Sequence, residues 1–293
     1  MNIRSILKKM YLSIYHLGLL NFIPDEVFIP FQYRVATGKY LDLSNVKTFN
    51  EKIQWIKLYD RNPIYPLIVD KYKVREYVSE KIGAQYLIPL LGKWDRVDDV
   101  NLQSLPDQFV IKCNHDSGGI AICRNKNSFD WYKEKLSIQK HLEQNHYYMS
   151  REWAYKDVKP CIIAEQYIMD EETRDLRDYK FFCFNGRAKY VQVDFDRFVD
   201  HKRNIYDMNW NLVDLTIKCP NDPHRILKKP NDFDEMIRLA EKLSEGFPQI
   251  RVDLYYANKK IYFGELTLYH GNGFEKFTPE YYGEIFGSFI DLG

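Results

Sequence analysis

Two acids, an arginine and a threonine in the C-terminal third are spaced so that a β-hairpin would bring them together. The segment IRVDLYYANKKIYFGELTLYHGNG has two β-rich runs on either side of a polar turn at residues 258–260, which predicts a hairpin. With a three-residue loop there, Asp253 lies opposite Glu265 and Arg251 lies opposite Thr267. Because side chains alternate along a strand, all four share one face.

The predicted pair of opposed carboxylates calls for a cation. Like charges directly opposite each other across a strand pair repel. A cation between Asp253 and Glu265 would remove that repulsion, and hard oxygen ligands suit Mg²⁺. A solvated hairpin whose acids align by chance is the alternative that the pattern leaves open. The opposite face of this hairpin is apolar and consists of Val252, Leu254, Leu266 and Leu268.

Composition excludes several classes of protein. A chain of 293 residues can bury a substantial core and form two or three subdomains. Its formal charge of +1 argues against a general nucleic-acid-binding surface. The five cysteines form no CxxC pair and are odd in number, which favours reduced thiols and a cytoplasmic protein. No apolar run is long enough to span a bilayer.

The first 23 residues resemble a signal peptide only loosely, because His16 interrupts the weak apolar run. They are amphipathic at helical spacing and carry a basic cluster at Arg4, Lys8 and Lys9. A packed terminal helix and an anchor at the membrane surface are both consistent with this pattern.

Helical patterns dominate residues 1–85. Thr48 and Glu51 fit a capping box that begins a helix, and Pro63 closes it. A second helix is predicted in VDKYKVREYVSEKIG, with Gly83 as its stop. This part is predicted to be a helical lead-in that carries no chemistry by itself. Further helices are predicted after a Ser128 cap and over residues 232–245.

A lysine next to a glycine-containing loop is the first candidate for phosphate binding. The strand FVIKC contains Lys112, and the loop Asn114–Gly119 (NHDSGG) connects it to the strand IAICR. An ammonium group and backbone N–H groups in this arrangement can meet phosphate oxygens. An ordinary hairpin turn is the alternative.

Two more strands carry isolated charges. In the apolar strand CIIAEQYIM, Glu165 must either lie at the end of the strand or pair with a donor there. In DYKFFCFNGRAKYVQVD, the Asn-Gly dipeptide predicts a type I′ hairpin that pairs Lys180 with Val191. Asp178 and Lys180 then share a face, on which Lys180 is either a snorkelling surface residue or a functional cation.

In kind and order these segments resemble the ATP-grasp superfamily. Over residues 47–267 the chain is similar to its TupA-like branch, named after teichuronopeptide biosynthesis. The matching segments are TFNEKIQWIKLYD, VDKYKVREYV, FVIKCNHDSGG, IIAEQYI, DYKFFCFNG and RVDLYY…YFGELT. The resemblance implies an α+β fold in which two α+β subdomains clasp ATP, at residues 86–160 and 161–293.

The resemblance also implies roles for individual residues. Lys112 and Lys180 would contact phosphates, the loop containing Asn114, Ser117, Gly118 and Gly119 would cover them, and Arg251 would serve the transferring group. The remaining nucleotide contacts would come from Glu165, Gln166, Tyr167 and Ile168 at the adenine and from Asp178 at the ribose. Asp253, Glu265 and Thr267 would hold Mg²⁺. Many relatives have Asn where Thr267 stands, which leaves the second metal ion open.

The implied activity is that of an ATP- and Mg²⁺-dependent carboxylate–amine ligase in surface polysaccharide assembly, such as capsule, with a hexuronic acid as one acceptor. Its partners would be a small-molecule or glycan carboxylate and an amine, without nucleic acid. It would work in the cytoplasm, with peripheral contact to membrane-associated polysaccharide machinery as a further expectation. The alternatives are an ATP-grasp phosphotransferase, a sugar-nucleotide glycosyltransferase and a non-catalytic nucleotide-binding scaffold.

Overall fold

A computed structural model of the chain describes residues 18, 20–172, 176–195, 201–225 and 227–293. Most of the amphipathic N-terminal segment lies outside the described residues. Within them, the α-helices are α1 Asp25–Thr37, α2 Phe49–Tyr59, α3 Tyr65–Val69, α4 Val74–Lys81, α5 Trp131–Leu142, α6 His146–Ser150, α7 Phe233–Leu243 and α8 Tyr281–Ser288. The strands are β1 Leu90–Trp94, β2 Phe109–Cys113, β3 Ile120–Cys123, β4 Ile162–Gln166, β5 Arg177–Phe184, β6 Arg187–Phe195, β7 Lys202–Asp207, β8 Thr216–Ile217, β9 Gln249–Ala257, β10 Lys260–Thr267 and β11 Phe277–Thr278.

The strands form two main antiparallel sheets. The small sheet has the order β1-β4-β2-β3, and the large sheet has the order β10-β9-β5-β6-β7. A two-stranded ribbon pairs β11 with β8. Helices and antiparallel sheets therefore combine in the predicted α+β class.

The small sheet has one apolar face and one mixed face. Its apolar face packs against Ile138 of α5 and forms a separate core. Alternation along the strands puts Lys112 and Glu165 on the opposite face. Ile120 and Ile122, on that same face, are 47% and 40% exposed, which is unusual for isoleucine. The mixed face thus combines charge with open apolar surface.

The large sheet is covered by helices on both sides. Phe181 contacts Phe233 of α7, with ring centroids 5.8 Å apart, whereas its neighbour Phe182 contacts Phe286 of α8 at 5.4 Å. Successive residues of a strand must point to opposite faces, so α7 and α8 lie on opposite sides of β5. Phe49 of α2 joins the α8 side by an edge contact with Phe286 at 6.0 Å.

The predicted register of the metal-site hairpin is confirmed, but its turn is different. Asp253 pairs with Glu265, as predicted. The loop, however, has only two residues, Asn258 and Lys259, both with positive φ as a type I′ turn requires. The register shifts at Gly264, and this bulge supplies the residue that the shorter loop omits.

The predicted register of the β5–β6 hairpin is wrong at its far end. The pair next to the turn is as predicted, but a shift near Cys183 places Lys180 opposite Gln192 and not opposite Val191. A bulge inserts one residue and so moves every later pair. As a result Lys180 of the large sheet lies opposite a polar residue, Gln192.

The capping prediction holds for one helix and fails for another. Thr48 and Glu51 form the expected capping box at α2. Ser128 does not cap α5; Asp130 does, by accepting a hydrogen bond from the Lys133 backbone N–H at 3.1 Å. Ser128 belongs to the preceding turn of 3₁₀-helix. Within the described part of the chain, no helix is long and apolar enough to cross a membrane.

Candidate active site

Arg251 lies at the centre of the polar face of the large sheet. Its Nε donates to Asp253 Oδ1 at 2.7 Å, and its Nη2 donates to Asp253 Oδ2 at 2.8 Å. The same Nη2 reaches Glu265 Oε1 at 3.0 Å. The cation between the two opposed carboxylates in this structure is therefore the Arg251 guanidinium, which makes a bidentate contact with Asp253.

Lys180 is the second cation of this cluster. Its ammonium group donates to Asp178 Oδ2 at 2.5 Å and also to Asp253. Burial alone would lower the pKa of Lys180, but Asp178 and Asp253 raise it, and the net shift is upward. Lys180 is thus a buried, charged residue of the site and not a snorkelling surface lysine.

Lys112 and Glu165 form the corresponding cluster on the small sheet. Lys112 Nζ lies 2.6 Å from Glu165 Oε2, and Arg75 of α4 donates to Glu165 Oε1 at 2.9 Å. Glu165 is the penultimate residue of β4 and is 5% exposed. Both conditions expected for a carboxylate in this strand are met, because it lies near the strand end and pairs with two cations.

The loop between β2 and β3 is held mainly by its own polar groups. Asn114 is fully buried; its Oδ1 accepts from the Cys161 backbone N–H at 2.7 Å, and its Nδ2 donates to Lys159 O at 3.1 Å. The Gly119 N–H donates to Asp116 Oδ2 at 3.1 Å. Asn114 and Gly119 therefore shape the loop, whereas Ser117 and Gly118 are its exposed members.

Lys71 is a site residue that the sequence analysis missed. Its backbone N–H donates to Asn114 O at 2.9 Å, and its ammonium group donates to Asp116 O. Burial lowers the pKa of Lys71, Glu265 raises it and Lys112 lowers it further, with a net downward shift. Lys71 therefore lies near charges of both sheets.

Residues 1–85 were predicted to carry no chemistry, yet Lys71 donates to Asp116 O and Arg75 donates to Glu165. Both residues belong to the segment VDKYKVREYV, in which Lys71 precedes Val74, the first residue of α4.

Comparison with family models gives a match over most of the chain. The model described as TupA-like ATPgrasp matches residues 51–291. The chain belongs to this TupA-like ATP-grasp family. The predicted family and fold are thereby confirmed. A comparison with curated protein sequences found no match.

Several solved structures are similar to the chain at low identity. The D-alanine–D-alanine ligase from Bacillus anthracis in complex with ATP is 13% identical with a TM-score of 0.40, and the match covers 69% of this chain and 54% of that one. The corresponding enzyme from Helicobacter pylori is 13% identical with a TM-score of 0.42, covering 77% and 63%. A RimK domain ATP-grasp protein from Sphaerobacter thermophilus is 10% identical with a TM-score of 0.42, covering 78% and 68%.

In an ATP-grasp protein the segment after β4 is expected to meet the adenine base. Gln166 and Ile168 line a cavity of about 450 Å³ together with Tyr262 and Lys260 of β10. The Gln166 backbone N–H is already bonded to Pro89 O at 3.0 Å. That N–H is therefore not available to a base, while both side chains border a space between the two sheets. Tyr167 is half-buried next to them.

The donor set at the hairpin fits the Mg²⁺ that ATP-grasp resemblance implies. Glu265 is 42% exposed at its side chain, and Thr267 Oγ1 donates to its Oε1 at 3.0 Å. Burial alone would raise the pKa of Glu265, but Arg251, Lys71 and Lys180 lower it to about 2. An ionised, partly open carboxylate beside Asp253 suits Mg²⁺, which commonly takes one or two carboxylates plus substrate phosphates. Within the described residues no three His, Cys, Asp or Glu side chains group as a metal site on their own.

His270, which follows β10 along the chain, is another residue of the site. It is 3% exposed, and its Nδ1 lies 2.7 Å from Arg251 Nη1. Burial lowers the pKa of His270 to about 4, against the opposing effect of Glu275. The ring is therefore neutral at pH 7.

Proposed function

We propose that this protein is an ATP- and Mg²⁺-dependent carboxylate–amine ligase. The observation that carries the proposal is the cluster of Arg251, Asp253, Glu265 and Lys180 on one sheet, with Lys112 on the mixed face of the other. A transferring phosphoryl group needs charge neutralisation and positioning more than covalent help from the protein. Lysines, a guanidinium and metal-binding carboxylates are the groups that supply these.

The proposed reaction has two steps. A carboxylate oxygen of the first substrate attacks the γ-phosphorus of ATP, and the bond from that phosphorus to the β–γ bridging oxygen breaks. The products of this step are ADP and an acylphosphate. The amine nitrogen of the second substrate then attacks the acyl carbon, phosphate departs with the bonding electrons, and the nitrogen loses a proton to give an amide. Mg²⁺, held by Asp253, Glu265 and Thr267, would neutralise phosphate charge.

In this scheme the chain's own cations have separate tasks. Lys112 and Lys71 bind phosphate oxygens from the small-sheet side. Lys180 and Arg251 bind the transferring group from the large-sheet side, and Arg251 also stabilises the charge that develops on it. Gln166, Tyr167 and Ile168 border the base, and Asp178, which accepts a hydrogen bond from Lys180 at 2.5 Å, would reach the ribose.

The substrate part of the proposal is a hexuronic acid as carboxylate and an amino acid as amine, in surface polysaccharide assembly in the cytoplasm. Family resemblance supports this part, and the site supports the reaction type. ADP and phosphate release with uronic acids and amino acids as acceptors is the direct test. Formation of ADP with the phosphate retained on the acceptor would instead identify a phosphotransferase.

A thermal-shift experiment tests nucleotide choice without knowledge of the acceptor. ATP with Mg²⁺ is expected to raise the melting temperature, and UDP-sugars are not, because a ligand that binds only the folded state stabilises it. The glycosyltransferase alternative needs an Asp-x-Asp metal motif such as the one that begins at Asp194. That residue lies within β6, and Arg203 Nε donates to it at 2.7 Å. Stabilisation by a UDP-sugar with no effect of ATP would overturn the ligase proposal.

A further inference from the structure

We propose that His270 is a positioning residue for Arg251, an inference that rests on the ligase function proposed above. Arg251 uses Nε and Nη2 for Asp253 and Glu265, the two carboxylates assigned to Mg²⁺. Its Nη1 lies 2.7 Å from His270 Nδ1. Of these three partners, His270 is the one not assigned to the metal.

The direction of this hydrogen bond fixes the form of the imidazole. A guanidinium can only donate, so Nδ1 of His270 must carry no proton and must accept. The ring proton is then on Nε2, which lies 3.0 Å from the Glu275 carboxylate oxygen Oε2 without meeting hydrogen-bond geometry. His270 therefore works as a neutral, directional acceptor and not as a cation or a general base.

The surroundings of His270 hold its ring in one orientation. The ring makes an edge contact with Phe182, with centroids 4.9 Å apart at 81°, and a tilted contact with Phe49 at 6.3 Å. Glu275, which faces Nε2, lies 3.5 Å from Arg203 Nη1. The His270 ring is thus held by contacts with Phe182 and Phe49, and the pair of Glu275 and Arg203 lies on its Nε2 side.

This arrangement matters most when substrates bind. If Asp253 and Glu265 hold Mg²⁺, Arg251 would lose part of the contacts that orient it. The bond to His270 involves neither carboxylate, so it would keep the guanidinium aligned with the transferring group. Small misplacement of such a group is costly, since about 1 Å can lower a rate by roughly 100-fold.

Two substitutions separate the acceptor from simple filling of space. Asn places a side-chain oxygen where Nδ1 stands, whereas Gln places its amide near Nε2 and leaves Arg251 Nη1 without an acceptor. His270→Gln is expected to lower kcat by roughly 10- to 100-fold while the KM for ATP changes by less than about threefold. His270→Asn is expected to restore at least about a third of the wild-type kcat. Equal losses of kcat in the two variants would overturn the proposal.

A spectroscopic measurement keeps this inference separate from the ligase proposal. In ¹⁵N spectra of the full-length protein at neutral pH, the His270 signals, identified by their absence in His270→Asn, are expected to show a proton on Nε2 and none on Nδ1. A proton on Nδ1, or an imidazolium, would refute the positioning role whatever the reaction is. Absence of ADP formation by wild-type protein with every carboxylate and amine tried would count against the ligase function, while the spectrum would still decide the assignment of His270.

Discussion

At the scale of single residues, the site shows how opposed carboxylates can coexist before substrate binds. Asp253 is 1% exposed and receives hydrogen bonds from both Arg251 and Lys180. Glu265 shares Arg251 but is more open. The protein's own cations therefore neutralise both acids. Because Asp253 is buried and Glu265 is partly exposed, the stability of the fold depends much more on Asp253 than on Glu265.

This difference predicts losses of very different size in two conservative variants. Asp253→Asn leaves two buried cations without their shared anion and is expected to lower the free energy of unfolding of the apo protein by about 3–5 kcal/mol. Glu265→Gln removes a partly exposed pair and is expected to cost less than about 1 kcal/mol. Denaturant titration of both apo variants measures the two losses.

The variant Glu265→Gln also tests metal binding. Glu265→Gln is expected to lose most of the stabilisation by ATP with Mg²⁺ although the apo protein is nearly unchanged, because a hard anionic ligand is gone. Arg251→Lys serves as a comparison, since a lysine cannot replace the two-pronged contact. If Glu265→Gln kept the full ligand-induced shift in melting temperature, Glu265 would not be a metal ligand.

The two lysines that face the site from the small-sheet side give a further prediction. Lys112→Met and Lys71→Met are each expected to reduce turnover by roughly 100-fold or more, by analogy with the loss of one transition-state donor. Lys159→Met is the matched control, because the side chain of this lysine is 77% exposed and pairs with Asp95 at the surface. Near-normal kcat/KM in Lys71→Met would return Lys71 to a purely structural role in holding the loop at Asp116.

At the scale of elements, α8 approaches the N-terminus of α2 more closely than a side chain would allow. A Cβ atom on Gly287 would lie 2.0 Å from Lys47 O, a backbone atom that cannot move without shifting α2. A Cβ on Gly283, in the same helix, would meet Thr48 at an ordinary 3.8 Å. This contact positions α2, whose Phe49 packs on the His270 ring.

The two glycines of α8 form a matched pair. Gly287→Ala is expected to lower the free energy of unfolding by at least about 1–3 kcal/mol through forced backbone movement. Gly283→Ala is expected to be neutral or to stabilise by roughly 0.5–1 kcal/mol, since Ala is the better helix former. Thermal melting measures the change in stability of both variants. Equal melting temperatures for Gly287→Ala and Gly283→Ala would show that α8 can shift away from Lys47 without cost.

Local elements could be predicted from the sequence where one short signal dominates. The pairing of Asp253 with Glu265 was predicted from side-chain alternation and a three-residue loop, and Thr48 with Glu51 gave the start of α2. The pairing is correct because the bulge at Gly264 makes up for a loop of only two residues. The bulges near Cys183 and Gly264 leave no signal in the alternation of charged and apolar residues, so they could not be predicted this way. Lys71 and Arg75 were missed for a related reason, since their contacts with Asp116 and Glu165 are long-range.

At the scale of the whole molecule, a buried lysine connects the N-terminal helices to the loop that follows β10. Lys57 of α2 is fully buried, and its Nζ donates to Asn272 O at 2.9 Å and to Ser150 O at 3.3 Å. Burial lowers the pKa of Lys57 to about 7, although Glu152 and Asp25 raise it. The free energy of unfolding is therefore expected to depend on the protonation state of Lys57.

The last prediction concerns that dependence. Lys57 is neutral in the folded protein above pH about 7, whereas its pKa in the unfolded chain is near the ordinary 10.5. The unfolded state then binds more protons between these values, so the contribution of Lys57 to the free energy of unfolding rises with pH, by at most about 1.4 kcal/mol per pH unit. Lys57→Met removes this contribution, and the difference in unfolding free energy between wild type and variant isolates it from the buried thiols and tyrosines that titrate at higher pH. Urea titrations in buffers from neutral to alkaline pH, with Lys159→Met as the control for loss of a lysine, measure that difference. A difference that stays constant or falls with pH would mean that Glu152 and Asp25 keep Lys57 charged in the folded protein.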